Sequence, residues 1–385
     1  MCIFIIFVIN DSKDIDFVTY YQQTFVNFTI MNNKEVFVVG LMSGTSLDGV
    51  DLVYVKFLND NFRNFDILHS ETVSYSKKWK STLQNSINYS SDDLTALNIE
   101  YGSFLGGVIN DFIDKFQIEN IDFIASHGHT VLHQPHKGIT LQIGDGQIIA
   151  NATKQKVICD FRTQDVALGG QGAPLVPIGD ELLFSNYDYC LNLGGFSNIS
   201  FNDKGVRIAF DICPVNIVLN HYVNKLGLEY DDSGKIASNG QLNKQLLEAL
   251  NSIDFYSQNP PKSLGLEWVK ENIFPLIDHL ETNVSSILRT FVEHVAIQIS
   301  KVIKDSNSVL ITGGGAFNSF LINRIEDVSN SKIVLPKTEL IDFKEALIFA
   351  FLGLLKSGNQ VNCLSSVTGA KKDHSSGMVF LPSGI

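Results

Sequence analysis

The segment Gly44-Thr45-Ser46-Leu47-Asp48-Gly49-Val50-Asp51 constrains the fold of this chain more than any other. Gly44 and Gly49 have the glycine spacing of a P-loop, but Val50 and Asp51 stand where that loop requires Lys and Ser/Thr. Val36-Phe37-Val38-Val39-Gly40-Leu41 precedes the segment, and Val50-Asp51-Leu52-Val53-Tyr54-Val55 continues it as an alternating β-branched run. Both patterns predict strands and exclude the strand–loop–helix of a P-loop. The unit is a hairpin whose small polar tip can turn backbone N–H groups toward an anion. Asp48 and Asp51 are placed beside the tip to hold Mg2+, directly or through water. Alone, the segment reads better as an ordinary polar hairpin.

Two further segments change that balance. Cys190-Leu191-Asn192-Leu193-Gly194-Gly195-Phe196-Ser197-Asn198-Ile199-Ser200-Phe201 repeats the strand–small turn–strand design around Gly194 and Gly195. Val309 to Thr312 leads into Gly313-Gly314-Gly315-Ala316-Phe317-Asn318 and then an apolar-periodic helix over 320–325. Three glycines between a strand and a helix let a ring or a ribose lie against the backbone. Two hairpins and one glycine-rich strand-to-helix turn predict an α/β fold of two related actin-like (ribonuclease H-like) lobes, with ATP in the cleft between them.

A chain of 385 residues, 44% of them hydrophobic, has the length and apolar content for two such units. We expect residues 31–160 to form the first lobe and 161–385 the second, with the late helix near 344–355 a candidate to pack back on the first. Residues 1–30 read as an extension outside the core. The apolar run 1–9 has no basic flank and is too short to span a bilayer. Forty-one acidic against 29 basic residues give a formal charge of −12, which disfavours nucleic acid and anionic membranes as partners. Five scattered cysteines without metal-site spacing fit reduced thiols and a cytoplasmic location. Strands are expected at 36–42, 50–57, 66–74, 121–126, 141–144, 156–159, from 189 and at 206–211. Helices are expected at 90–117, 215–226, 240–250, 281–303 and 344–355.

Several side chains stand where chemistry is plausible. Asp211 ends a strand before a helix, as a general base facing a cleft would or as a helix cap would. Ser126-His127-Gly128 follows a strand and offers polar contacts to a sugar; with His129 it also spells an H-x-H zinc pattern, the less favoured reading. Arg162, Asp165 and Gln171 lie on a glycine-rich loop suited to sugar hydroxyls, with Arg162 as a carboxylate fork. Asn216 follows Asp211 in the turn, and Glu345 opens the late helix, either as a charge favoured by the dipole or as a group reaching the cleft. Asp231-Asp232-Ser233-Gly234-Lys235 reads as a solvated turn.

Taken in order, these segments resemble the anhydro-N-acetylmuramic acid kinase family of the actin/hexokinase/Hsp70-like ATPase superfamily. The carrying residues are 40–51, 126–128, 160–177, 191–199, 261–263 and 313–318, and the likeness spans 36–370. The resemblance implies hydrolysis of the 1,6-anhydro ring of 1,6-anhydro-N-acetylmuramic acid and phosphorylation at O6. The products are N-acetylmuramic acid 6-phosphate and ADP, in cell-wall sugar recycling. It places Asp211 as the carboxylate that activates water and 44–51 on the ATP phosphates, with Mg2+ as cofactor. The partners implied are small molecules, the amino sugar and ATP, with a homodimer as an open possibility. The chain departs from the family pattern at Ile212-Cys213-Pro214-Val215-Asn216, where Thr-Gly-Pro-Gly-Asn is usual, at Leu264 for Thr, and at His129 for Gln. Other acceptors, or an ATP-dependent switch with no acceptor, remain alternatives.

Overall fold

Val36, Val38 and Val39, and Val50, Leu52, Val53 and Val55 opposite them, are all completely buried, so both faces of the first hairpin are covered. A strand covered on both faces reads as a near-continuous apolar run, which is how these two segments read. The computed structural model describes residues 35–44, 47–58, 64–303, 306 and 308–384. Thr45, Ser46 and the expected extension over 1–30 lie outside the described residues.

The first sheet contains β1 (Glu35–Ser43), β2 (Gly49–Leu58), β3 (Phe65–Ser74), β4 (Phe123–Gln134), β5 (Ile139–Ile143) and β6 (Val157–Cys159). The second contains β7 (Tyr189–Leu193), β8 (Phe196–Asp203), β9 (Val206–Pro214), β10 (Val309–Thr312) and β11 (Ile333–Val334). A last strand, β12 (Met378–Phe380), returns to the first sheet and pairs with β6. The strand orders are β12-β6-β4-β1-β2-β3, with β5 on β4, and β11-β10-β7-β8-β9. In each sheet an antiparallel three-strand meander is extended by two parallel strands laid against its first strand. This shared ribonuclease H-like path makes the two lobes topological relatives. Parallel neighbours need a crossover element; the helix Ser91–Phe116 precedes β4 and the helix Val284–Ile303 precedes β10.

The helical stripes behave as their periodicity predicts. Leu97, Tyr101, Leu105, Ile109 and Phe112 are buried on the first of these helices, while Ile287, Leu288, Phe291, Val292, Val295 and Ile299 are buried on the second. Ser90 caps the first by accepting the Asp93 N–H, and Gln117 ends it in the left-handed conformation. The strand expected over 121–126 runs on to Gln134, because β5 folds back and pairs with it. His127, Gly128 and His129, expected just beyond the strand, are therefore strand residues.

The helix Thr338–Ser357 crosses to the first sheet. A Cβ on Gly40 would sit 2.4 Å from the Ala346 carbonyl, and one on Gly353 would sit 2.8 Å from the Ala125 Cβ. Where the sheets meet, Lys344 Nζ lies 2.7 Å from Asp180 Oδ1, and Ser200 Oγ donates to Asp180 Oδ2 at 2.5 Å. Arg207 Nη2 donates to Ser200 Oγ at 2.7 Å. All four side chains are buried. Among the described residues, no helix is long and apolar enough to cross a membrane.

Candidate active site

Asp211 is half-buried on β9, beside a bulge: Asn198 pairs with Asp211 and Ser197 with Cys213, leaving Ile212 as the additional residue. Bulges re-aim side chains in this way. Asp211 Oδ2 accepts the Leu264 N–H at 2.8 Å, and the Asp211 N–H donates to the Lys262 carbonyl. Burial raises its pKa and the Leu264 N–H partly offsets that rise. It does not cap the next helix. That helix, Asn216–Asn224, has Val215 at its N-cap and no side-chain cap; instead the Gly194 and Gly195 carbonyls accept the N–H groups of Val215, Asn216 and Ile217. The two departures from glycine, Cys213 and Val215, point into the core of the second lobe. The Cys213 backbone is tied down by Ser197 Oγ, which accepts its N–H at 3.2 Å and donates to its carbonyl at 3.0 Å.

The second hairpin and the triple-glycine turn are brought together. A Cβ on Gly313 (φ +82°) would lie 2.5 Å from Asn192 Oδ1 and 2.9 Å from the Leu193 carbonyl. One on Gly315 would lie 2.7 Å from Leu193 Cβ, so both glycines let the turn close on the end of β7. Gly195 and Gly314 face open space, with no atom nearer than 3.9 and 3.8 Å to such a Cβ. Gly194 is tighter: a Cβ there would meet Asn192 Nδ2 at 3.3 Å, and that side chain would have to give way. Asn216 Nδ2 reaches the Leu193 carbonyl from beside this turn. The donor set fits a nucleotide: bare backbone on one side and glycines forced by packing on the other. Asn318 caps the helix Ser319–Ser329 through its Oδ1, and Gly234 packs against it. The turn at 231–235 is thus not simply solvated. Asp231 is buried, and its carboxylate accepts the N–H groups of Ile236 and Ala237.

On the first hairpin, Leu47 adopts φ +59° and Asp48 is exposed. Behind it runs a buried polar chain: His129 Nδ1 to Ser43 Oγ at 3.0 Å, Ser43 to the Tyr75 hydroxyl at 2.6 Å, and Tyr75 to the Tyr101 hydroxyl at 2.5 Å. Burial lowers the His129 pKa to about 4, so it serves this chain as a neutral ring. Asp51 Oδ1 accepts the Thr72 hydroxyl at 2.6 Å; burial raises the Asp51 pKa, and Asp342 and Asp48 raise it further. Hard carboxylate oxygens suit Mg2+. Mg2+ is commonly held by one or two carboxylates while it keeps several waters and binds phosphates. Residues fit for that ion are therefore Asp48 and Asp51.

Arg162 links His127 to the glycine-rich loop. Its Nε donates to His127 Nε2 at 2.9 Å and its Nη1 to the Gly172 carbonyl at 2.6 Å. His127 must then carry its proton on Nδ1, which faces the Gly128 carbonyl at 2.9 Å. Burial and the Arg162 charge hold the His127 pKa well below normal. Burial lowers Arg162 to about 10, opposed by Glu345. Among the described residues, three of the five guanidinium N–H bonds have no hydrogen-bond partner, enough for an end-on carboxylate fork. Glu345 is open to solvent yet walled by protein, and that desolvation raises its pKa against the pull of Arg162 and Lys344. The helix begins at Thr338, so Glu345 is its eighth residue and does not open it as expected. Ser126 is fully buried and its Oγ accepts the Gly128 N–H; a Cβ on Gly128 would strike the Ile143 carbonyl at 2.4 Å. A cavity of about 180 Å³ opens beside His127, Gly128, Asp160 and Thr163.

Two expectations are corrected. Asp165 was expected to meet a ligand, but it has no accessible surface and its Oδ2 accepts the Gly172 N–H at 2.6 Å; it anchors the loop, since burial of an Asp demands such partners. Gln171 on the same loop is exposed, tied by its N–H to the Thr368 carbonyl. The H-x-H zinc pattern also fails, because Arg162 occupies His127 Nε2 and His129 belongs to the serine–tyrosine chain. Sequence patterns gave no sign of the Lys262–Leu264 backbone closing on Asp211, or of Asp231 as an anchor. Pro261-Lys262-Ser263 was the one available pointer to the former.

The family model described as anhydro-N-acetylmuramic acid kinase matches residues 36–382. The protein of that name from Haemophilus influenzae is 35% identical over 388 residues, covering 91% of this chain and 99% of its own. The one from Clostridioides difficile is 36% identical over 367 residues, covering 86% and 95%. Among solved structures, the activator of the 2-hydroxyisocaproyl-CoA dehydratase from Clostridium difficile with bound ADPNP matches at 15% identity and a TM-score of 0.45, covering 84% of this chain and 96% of its own. The first two likenesses run through both lobes and every segment of the site, and the chain belongs to the anhydro-N-acetylmuramic acid kinase family.

Proposed function

We infer that the protein is a phosphotransferase that opens the 1,6-anhydro ring of 1,6-anhydro-N-acetylmuramic acid and phosphorylates O6 from ATP. The observation that supports Asp211 as the base is its setting: a desolvated carboxylate with one oxygen pinned by the Leu264 N–H and no helix to cap. Desolvation makes the carboxylate a stronger proton acceptor. Water gives its proton to Asp211 while its oxygen bonds to C1. The C1–O6 bond breaks with its electron pair on O6, which then attacks the γ-phosphorus in line as the bond to ADP breaks. Mg2+, held by Asp48 and Asp51 when bound, would offset charge on the phosphates. The glycines at 194–195 and 313–315 receive the nucleotide, and Arg162 takes the lactyl carboxylate of the sugar. A cytoplasmic place in cell-wall sugar recycling goes with ATP as donor.

The test is ADP release with and without the anhydro sugar, with the product weighed by mass spectrometry. A gain of one phosphate plus one water supports the reading. A phosphate gain alone would remove Asp211 from the role of base, and no sugar-dependent turnover would remove the substrate.

A further inference from the structure

We propose that Asp165, Cys363 and His374 form a binding site for one Zn2+ ion, which fastens the Arg162 loop to the C-terminal segment. The proposal goes beyond the kinase reading and does not depend on it.

The backbone presets two of the ligands. Cys363 and His374 face each other across an isolated antiparallel bridge. The Cys363 N–H donates to the His374 carbonyl at 3.1 Å and the His374 N–H to the Cys363 carbonyl at 3.2 Å, so both side chains project to one side. Asp165 arrives from 198 residues upstream, with Oδ1 3.1 Å from Cys363 Sγ. The same oxygen lies 3.6 Å from His374 Nε2. A tetrahedral zinc with bonds of about 2.0–2.3 Å holds its ligand atoms roughly 3.3–3.5 Å apart, close to both distances. The three residues are 0%, 1% and 6% exposed.

The second observation concerns His374 alone. Its Nδ1 lies 3.1 Å from the Lys372 carbonyl, which fixes the proton there. Nε2 is buried and has no hydrogen-bond partner among the described residues. It faces Asp165 Oδ1 at 3.6 Å, too far for a hydrogen bond, and a cation seated between the two atoms would satisfy both. Thiolate with imidazole selects zinc over magnesium. On binding, the Cys363 S–H bond breaks, the proton leaves to solvent, and the S–Zn bond forms. The Asp165 carboxylate and the Cys363 thiolate then cancel the ion's charge. Arg162 also acts on this cluster, but Glu345 offsets its charge. The Thr368 hydroxyl supports Asp165 Oδ1 at 2.7 Å, and water completes the tetrahedron. The other oxygen of Asp165 holds the Gly172 N–H, and the Gly172 carbonyl holds Arg162. The ion would thus stiffen the loop that aims the guanidinium.

The experiment takes the full chain, free of any histidine tag, dialyses it against a weak chelator, and measures zinc by elemental analysis. Cobalt(II) then replaces zinc and is read by absorption. The expected result is about one equivalent of zinc, with tetrahedral cobalt bands and a thiolate charge-transfer band. Cys363→Ser should lose the charge-transfer band, and it and His374→Gln should each weaken zinc binding about 10–100-fold. If either variant fails to fold, zinc-dependent protection of Cys363 from alkylation in the unsubstituted chain serves instead. Zinc well below one equivalent with no cobalt band, bands unchanged in both folded variants, or alkylation that zinc does not slow would each overturn the proposal.

Discussion

The Asp211 carboxylate accepts the backbone N–H of Leu264, 53 residues away, at 2.8 Å. A side chain pinned to backbone keeps one orientation, and the oxygen not so held has no protein donor among the described residues. Asp211→Asn keeps an acceptor for the Leu264 N–H while removing the base. We expect kcat to fall by about 10²–10⁴-fold with an unchanged fold. ADP release in the presence of the anhydro sugar measures this; a variant with more than half the native rate would exclude the assignment.

The pH dependence follows from the same group. Only the ionised carboxylate accepts a proton, so kcat/KM should fall as pH drops through its pKa, which burial lifts above 3.8. Stability has the opposite sign to that of a salt-bridged carboxylate. A raised folded pKa means the folded chain binds this proton more tightly than the unfolded one, so ionisation begins to cost stability above pH 3.8 and the cost is complete above the folded pKa. Asp211→Asn should accordingly melt no lower than the native protein at pH 7. Melting curves at two pH values check the sign, and a clear loss at pH 7 would contradict it.

Gly313 and Gly314 should separate folding from binding. Gly313→Ala places a Cβ 2.5 Å from Asn192 Oδ1 at φ +82°, so a loss of about 1–3 kcal/mol is expected. Gly314→Ala meets nothing nearer than 3.8 Å, and its stability should stay within about 0.5 kcal/mol. Both should raise KM for ATP more than KM for the sugar. Urea unfolding and initial rates distinguish the two effects; an unaltered ATP KM in Gly314→Ala would detach this turn from the nucleotide.

Arg162→Lys cannot reach His127 and Gly172 together, since an ammonium lacks the planar fork. A hydrogen bond to a charged group is worth about 1.5–3 kcal/mol, so kcat/KM for the sugar should drop by about 10–100-fold. ATP turnover without sugar should not change. Equal losses with and without sugar would argue against a sugar contact.

Lys344 and Asp180 meet where the two sheets join, both almost fully buried. Lys344→Met leaves Asp180 uncompensated by that ammonium, and a loss of about 3–5 kcal/mol is expected. Adding Asp180→Leu should restore part of it. Urea unfolding of the single and double variants tests the coupling, and additive losses would refute it.

The two hairpins, the triple-glycine turn and the long helices were legible in the sequence because each is a local pattern. Alternating β-branched residues, glycines between elements and apolar stripes at helical spacing report on neighbours a few residues apart. His127 was placed after the strand because only the return of β5 shows that β4 continues. Asp165 looked like a ligand contact because an acidic residue on a glycine-rich loop is ordinarily exposed. Its burial depends on Thr368 and Cys363, about 200 residues later.

By itself the sequence determined the alternation, the turns, the family pattern and Asp211 as the acid worth testing, since all are written in residue type and near spacing. Tertiary structure alone decided which oxygen of Asp211 is held, that Arg162 is braced by His127, that Asp165 is buried as an anchor of its loop, and that Cys363 and His374 face it. Those facts depend on desolvation and on contacts between segments far apart in the chain, and neither is encoded in any short stretch of it.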